Sequence, residues 1–326
     1  MDFLMDNAIL LIIVGAVGIP VLIYALLGVG ERILDLLPHK AGHRLRPLVW
    51  LFLPLALIIL ILLYPVVSTI RSSFMDATDA HFVGFDNYVW AFQGDMLGVI
   101  GNNIVWVVVL PLATVVMALI AAVLFDRVAY ERVAMTLILL PTAISFVAGA
   151  VIWTQMYAYQ PAGSTQLGTF NALLTALVPG FRPISWLQTP MVNTLAMILI
   201  AVWLQLGIAV LILSAAVKNV DQELLEAARL DGANELRVFF SITLPVITPA
   251  VLVVLTTAMM AALKIFDIVY VLTNGLFESD VIANRLYSEL FHARDYGHAS
   301  VIAVILLVAA LPIVLLNVAQ FRSEGE

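Results

Sequence analysis

The chain has 326 residues, of which 63% are hydrophobic and only 11% charged, and its formal net charge is −7. Soluble domains have about 45–50% apolar and about 25% charged residues, so this composition excludes an ordinary soluble protein and predicts an all-α, polytopic integral membrane protein. The lack of cysteine excludes disulfide bonds and thiol chemistry. Nothing in the charge balance favours nucleic-acid binding.

Apolar runs predict about seven transmembrane helices, since one span needs about 20 apolar residues. Their approximate bounds are 8–29, 48–70, 103–125, 134–156, 193–217, 249–273 and 299–318. The chain starts with Asp2 and Asp6 rather than with the positive charge of a secretory signal, so the first run is predicted to be a retained span. We therefore divide the chain into 1–47, an extra N-terminal transmembrane helix with a basic cytoplasmic loop, and 48–326, the main transmembrane domain.

A polar segment with a helical pattern, residues 218–248, lies between two of these spans. Asn219 is predicted to cap a short helix, with Gln222 three residues later completing the cap. Gly232 stands where the chain turns and needs a positive φ. A second short helix over 233–242 is predicted to end at Pro245, which cannot continue a helical ladder. Such a segment must lie in water at one membrane face, where it offers a docking surface.

This segment resembles the hallmark loop of the membrane-spanning permease subunits of ATP-binding-cassette (ABC) importers. The matching residues are Glu226, Ala227, Ala228, Asp231, Gly232, Ala233, Phe240, Ile242, Leu244 and Pro245. The resemblance implies a type I ABC importer permease fold with a coupling loop at 218–248. In the family this loop inserts into a cleft on an ATPase subunit, and the implied contact residues here are Glu226, Ala227, Ala228, Asp231 and Gly232.

Two other interpretations of the same segment remain. It could be an ordinary amphipathic cytoplasmic loop, or a helix-turn-helix element that binds DNA. Its confinement between two spans and its acidic content argue against DNA binding.

Further segments resemble sugar-type ABC permeases, at 82–88, 153–157 and 272–275. In maltose-type permeases the helix before the coupling loop contributes a W-L segment to the sugar site, and Trp203 and Leu204 match it. On the following helix this chain departs from the family, with Ala258, Ala262 and Ile265 where maltose-type subunits have polar residues. The resemblance implies a sugar substrate, such as a small oligosaccharide or an α-glucoside.

Aromatic and amide side chains within the spans are the candidate substrate contacts. Trp203 can stack on the apolar face of a sugar ring, and the amide of Gln205 can both donate to and accept from hydroxyl groups. Trp153 and Gln155 are further candidates through the family resemblance, with anchoring at the membrane interface as the alternative role.

Lys264 and Asp267 lie three residues apart in the sixth predicted span and should share one helical face. Either they form an internal ion pair, or they face the pathway and bind sugar hydroxyls. They also define a rival function, an ion-coupled secondary transporter that uses the pair as its relay. Such transporters usually show internal repeats and broken helices, and we find no convincing repeat here.

The chain has no G-x-x-x-x-G-K-[ST] phosphate-binding loop. The resemblance therefore implies a transport subunit and not an enzyme, with no cofactor or metal of its own, while ATP and Mg²⁺ are bound by a partner. The implied partners are a second homologous permease subunit, two nucleotide-binding ATPase subunits, an extracytoplasmic sugar-binding protein and membrane lipid, without nucleic acid.

The basic residues predict the orientation in the membrane. If the loop 218–248 is cytoplasmic, ten of the 15 Lys and Arg lie on that side, as the positive-inside rule requires. This arrangement predicts a multi-pass protein of a bacterial-type inner membrane. Its N-terminus would lie outside, and its coupling loop and C-terminus would lie in the cytoplasm.

Overall fold

The computed structural model describes residues 17–36, 39–125, 128 and 130–323. Within these residues every regular element is helical, which confirms the all-α prediction. The α-helices are α1 Ile19–Asp35, α2 His39–Ile58, α3 Tyr64–Ser72, α4 Asp86–Ala91, α5 Asp95–Phe125, α6 Glu131–Leu139, α7 Phe146–Met156, α8 Thr169–Leu177, α9 Val192–Lys218, α10 Gln222–Leu230, α11 Glu235–Val238, α12 Leu244–Leu263, α13 Asp267–Leu272, α14 Ile282–Tyr287 and α15 Tyr296–Ser323. A 3₁₀ turn covers Leu140–Ala143, and π-helical turns cover Ile59–Leu63, Phe239–Thr243 and Ser288–Ala293.

Among the described residues, five helical runs are long and apolar enough to cross a membrane. They are Leu45–Ser72, Asp95–Phe125, Val192–Lys218, Glu235–Leu263 and Tyr296–Asn317. A sixth span arises if the bent pair Glu131–Ala143 and Phe146–Met156 is counted as one. The polytopic character is thus confirmed, whereas a count of seven is not reached in this part of the chain. Of the predicted first span, 8–29, residues 8–16 lie outside the described residues, and residues 19–29 belong to α1.

The described residues up to Arg71 and those from Ser72 onward form two separate compact units. In the first unit α1 packs along α2. Glu31 on α1 accepts hydrogen bonds from Arg46 Nη2 at 2.6 Å and from Trp50 Nε1 at 2.6 Å. These contacts tie the two helices together.

In the second unit α5 is the central helix, and both α9 and α12 pack along it. Their shared core includes the fully buried side chains of Trp106, Leu110, Met197 and Ile200. Gly207 brings α9 close to the end of α6, because a Cβ there would lie 2.6 Å from the backbone oxygen of Ile138. This close approach fixes α9 against the bent fourth span.

Two spans are broken, and the sequence did not predict either break. The fourth bends by 104° between the 3₁₀ turn and α7. In the sixth, α12 ends at Leu263 and α13 starts at Asp267, so the continuous helix predicted over 249–273 is wrong. The two half-helices after the breaks, α7 and α13, pack against each other.

Asparagines from neighbouring helices hold the loop that follows α13. Asn102 Nδ2 donates to the backbone oxygens of Glu278 and Asp280, at 2.7 and 2.9 Å. Asn193 Nδ2 donates to the oxygen of Phe277 at 2.8 Å. These bonds give partners to backbone oxygens of a loop in which no regular helix can supply them.

Candidate functional site

The predicted coupling segment forms the short helix α10, a turn and the helix α11. Asp221 caps α10, with its side chain accepting from the backbone N–H of Glu223 at 2.9 Å. The predicted cap, Asn219, is wrong, because α9 continues to Lys218 and Asn219 is its C-terminal cap. An extended Asp221 then provides the carboxylate that a cap needs.

The turn after α10 agrees with the sequence prediction at Gly232, whose φ is +83°. Asn234 caps the following helix by accepting from the N–H of Arg237 at 2.8 Å. Across the turn Arg229 and Glu235 form an ion pair at 2.9 Å. The turn is therefore locally well defined.

The prediction that a helix ends at Pro245 is wrong. A 29-residue helical run passes through it, from Glu235 to Leu263. Pro245 stands in the first turn of α12, directly after the π-helical turn Phe239–Thr243. Proline is tolerated in a first helical turn, and the wider π turn before it replaces the ordinary hydrogen-bond ladder that proline would break.

The coupling segment exposes both polar and apolar side chains. Glu226, Ala227, Asp231 and Gly232 are exposed and Ala228 is half-buried. Leu224 and Leu230 are 52% and 88% exposed. Apolar side chains this open on a short polar helix are typical of a surface that another protein covers.

A cavity of about 210 Å³ lies between α5, α9, α12 and the bend of the fourth span. Its lining residues are Thr114, Thr142, Ile144, Phe146, Leu204, Gln205, Ile208, Ala209, Ile212, Val254, Thr257 and Ala258. None of these residues carries a charge. The cavity is apolar with a few neutral hydrogen-bonding groups.

The polar groups of this cavity suit hydroxyl ligands. Gln205 Nε2 is shielded from solvent and has no hydrogen-bond partner among the described residues. Thr114 and Thr142 donate their hydroxyl protons to the backbone oxygens of Leu110 and Leu139, at 2.8 and 2.6 Å. The threonine oxygens therefore keep lone pairs that can accept a hydrogen bond from a ligand. The amide of Gln205 can donate a hydrogen bond to a ligand oxygen.

Known proteins match most of this second unit. A protein-family model described as "Binding-protein-dependent transport system inner membrane component" matches residues 114–322, which include the cavity and the coupling segment. The chain belongs to this family. The ABC permease interpretation is thereby confirmed, and the DNA-binding and secondary-transporter alternatives lose their support.

Individual relatives agree with this membership. An osmoprotective compounds uptake permease protein of Synechocystis is 45% identical over 81% of this chain and 94% of its own length. An alpha-glucoside transport system permease protein of Rhizobium meliloti is 40% identical over 88% of this chain and 85% of its own. A crystal structure of a bacterial alginate ABC transporter in complex with an alginate pentasaccharide-bound periplasmic protein matches with a TM-score of 0.70 and 25% identity, over 85% of this chain and 94% of that one.

Within this permease, Leu204 and Gln205 are the predicted substrate residues that line the cavity. Trp203 is half-buried on the same helix and meets Trp153 edge-on, at 5.6 Å between ring centroids. Trp153 is buried and Gln155 is exposed, and neither lines the cavity. Their predicted sugar contacts remain predictions.

The permease does not place Lys264 and Asp267 on one helical face, because the helix ends between them. Lys264 is exposed and Asp267 is half-buried. No ion pair joins them in the described part of the chain, so the internal-pair interpretation is wrong. Lys264 and Asp267 interrupt the apolar run at the break, but their spacing of three residues also fits one face of a continuous helix, which is why the sequence did not reveal the break.

Sequence reasoning missed the threonines of the cavity. Thr114 and Thr142 are single threonines within apolar runs, and Thr257 follows Thr256 in another such run. A threonine in a helix is ordinarily explained by back-bonding to its own helix, and Thr114 does make such a bond. The bend at 144–145 contributes Thr142 to the lining, while Thr114 and Thr257 come from α5 and α12.

Proposed function

We propose that this permease is one of two transmembrane subunits of an ATP-driven importer for small neutral glycosides, of the α-glucoside or short-oligosaccharide kind. The observation that carries the substrate class is the uncharged cavity, in which Gln205 and threonine oxygens supply neutral donors and acceptors. A buried, unpartnered amide is costly, and a sugar hydroxyl would satisfy it. The relatives named for alpha-glucosides and for trehalose and maltose support the same class.

The cavity residues are assigned different roles. Leu204 forms part of its apolar wall, while Gln205 hydrogen-bonds a hydroxyl. Trp203 and Trp153 contact each other outside the lining and would supply aromatic surface if the pathway opens toward them. Gln155, Lys264 and Asp267 lie outside the lining, and we propose that they act at other stages along the pathway.

The exposed coupling segment supports the proposed energy coupling. Glu226, Ala227, Ala228, Asp231 and Gly232 would dock into a cleft of an ATPase subunit, which binds ATP and Mg²⁺ and performs the hydrolysis. Leu224 and Leu230 would be covered by the same contact. The full transporter would contain a second homologous permease, two ATPase subunits and an extracytoplasmic sugar-binding protein. The coupling segment and the C-terminus would lie in the cytoplasm and the N-terminus outside.

One experiment tests coupling with a matched pair of charge reversals. Glu226 and Glu223 are both exposed on α10, but only Glu226 belongs to the motif. We expect Glu226→Lys to abolish co-purification of the ATPase subunit and sugar-stimulated ATP hydrolysis, while Glu223→Lys retains both. Equal loss in both variants, or in neither, would contradict the docking assignment.

A second experiment tests the substrate site in proteoliposomes containing the whole transporter. Gln205→Leu removes the donor and should lower α-glucoside uptake about threefold to tenfold, the value of one neutral hydrogen bond. Leu211→Ile, on the same helix but outside the cavity lining, should leave uptake unchanged. Uptake of a charged oligosaccharide in preference to a neutral one would refute the substrate class without affecting the coupling test.

A further inference from the structure

A cluster of titratable side chains lies at the opposite end of the second unit from the coupling segment. The π-helical turn Ser288–Ala293 ends at Arg294, which is left-handed with φ +58°. The backbone N–H of Asp295 then bonds to the oxygen of Glu289 at 2.9 Å. This reversal brings Glu289 beside Asp295 and His298, at the start of α15.

The potential metal-ligand atoms of these three side chains lie close together. His298 Nδ1 lies 3.1 Å from Asp295 Oδ2 and 3.9 Å from Glu289 Oε2. All three ligand atoms lie within 4.8 Å of one another. Zinc bonds to nitrogen and oxygen are about 2.0–2.2 Å long, so the corners of its tetrahedron are about 3.3–3.5 Å apart. Small side-chain rotations would reach this geometry.

The imidazole is held in place by a neighbouring helix. Trp90 on α4 stacks on the ring of His298, with centroids 3.7 Å apart and planes at 4°. The stacking fixes the plane of the ring while Nδ1 faces the two carboxylates. A preset ligand orientation of this kind is what metal sites require of their surroundings.

The Glu289 carboxylate is half-buried and has no hydrogen bond within the part of the chain that the structure describes. Its side chain is only 13% exposed, and its nearest charged partners are Arg285 and His298, each at 3.9 Å. No shorter polar contact to it occurs among the described residues. A carboxylate so shielded is poorly solvated in its charged form, and burial accordingly raises its pKa.

The cluster also has an excess of negative charge. Arg285 lies 3.7 Å from Asp280 and 3.9 Å from Glu289, so one guanidinium is shared by two carboxylates. Asp295 adds a third carboxylate. With a neutral His298 the negative charges outnumber the positive ones, and a divalent cation would balance them.

We propose that Glu289, Asp295 and His298 bind a divalent transition-metal ion, with Zn²⁺ preferred because it accepts imidazole nitrogen together with carboxylate oxygen. Water would complete the fourth position. The ion would link the π-helical turn to the first turn of α15, next to α4, and so stabilise this end of the permease. The site is independent of the sugar cavity and of the coupling segment.

The test measures binding of Zn²⁺ to the full-length, chelator-treated permease purified with whatever subunits accompany it. We expect one ion per chain by calorimetry and a rise in melting temperature. Cobalt in place of zinc should give a tetrahedral visible spectrum, and Mn²⁺ should bind more weakly than Zn²⁺. His298→Ala and Glu289→Gln should each weaken Zn²⁺ binding at least about tenfold.

His292→Ala is the matched control. His292 belongs to the same π-helical turn, is exposed, and contacts the edge of Tyr287 rather than the cluster. This variant should bind Zn²⁺ as the wild type does. No binding in large molar excess, or equal loss in the control, overturns the proposal. A melting temperature that does not respond to Zn²⁺ also overturns it.

If His298→Ala does not fold, Glu289→Gln and the cobalt spectrum of the wild type still decide the question. The Gln side chain keeps the size of Glu289 and removes its charge. A cobalt spectrum without imidazole nitrogen would rule out this site. The coupling and uptake assays are unaffected by either result, so failure here leaves the proposed transport function standing.

Discussion

The close approach of α9 to the end of α6 predicts the effect of adding one methyl group at Gly207. In Gly207→Ala the new Cβ would lie 2.6 Å from the Ile138 backbone oxygen and 2.8 Å from the Leu139 Cα. Backbone atoms cannot rotate away as a side chain can. Helix α9 must therefore move relative to the end of α6, by several tenths of an ångström.

The expected loss of stability follows from a comparison with Gly101→Ala on α5, where a new Cβ would have no atom within 4 Å. Both substitutions replace glycine within a helix, and each gains up to about 1 kcal/mol from helix propensity. Overpacking costs about 1–3 kcal/mol and applies only to Gly207. The difference in unfolding free energy between the two variants should therefore be about 1–3 kcal/mol, with Gly207→Ala the less stable.

The assay is reversible denaturation of each variant in the same detergent, together with uptake in proteoliposomes. Gly207 is two residues from Gln205, so the shift of α9 should also lower uptake. Gly101→Ala should retain wild-type uptake. Equal stability of the two variants would refute the inference that backbone contact at Gly207 fixes α9 against the bent span.

Two further predictions concern the region after the broken sixth span. Asn103→Leu removes the bonds from Nδ2 to the Leu263 oxygen at 3.2 Å and from the Ile282 N–H to Oδ1 at 2.8 Å. Each buried group left unpaired costs about 1–3 kcal/mol, so hydrogen exchange should rise across 264–282 and stay unchanged in α9. Burial raises the pKa of Asp280, against the lowering effects of the Asn284 hydrogen bond and the Arg285 charge. The folded state therefore binds more protons than the unfolded state. The free energy of unfolding should fall as the pH rises from the unfolded pKa of Asp280, about 3.9, through its folded pKa. Asp280→Asn should flatten that part of the plot of melting temperature against pH.

Each of these two predictions has an outcome that would contradict it. Unchanged exchange over 264–282 in Asn103→Leu would show that the two bonds do not hold the broken span. A pH profile that keeps its slope in Asp280→Asn would assign the titration to another carboxylate, with Glu289 the first to examine because burial raises its pKa as well.

Much of the fold could be predicted because hydropathy and local turn chemistry act over short distances. The apolar runs gave four spans close to their observed bounds, among them 193–217 against Val192–Lys218. Gly232 could be assigned a positive φ because glycine is the residue that adopts it at little cost. The all-α class followed from composition, since helices satisfy every backbone group within a membrane.

The helix breaks and the cavity could not be predicted, because they depend on backbone features that leave no signal in the composition. Hydropathy is equally high on both sides of the bend at 144–145, and no charge interrupts it. The π-helical turn before Pro245 inserts an extra residue into the hydrogen-bond ladder of the helix. No pattern of side chains in the sequence predicts this insertion. The bend contributes Thr142, Ile144 and Phe146 to the cavity. Gln205 could therefore be proposed from its residue type, while the threonines around it could not.

The uncharged lining of the cavity has a consequence for the driving force of transport. A membrane potential acts on each elementary charge that crosses it with about 2.3 kcal/mol per 100 mV. A neutral solute crossing between uncharged side chains moves no charge through that field. Accumulation by this permease would then be insensitive to depolarisation of the membrane, and its direction would be set by ATP hydrolysis alone.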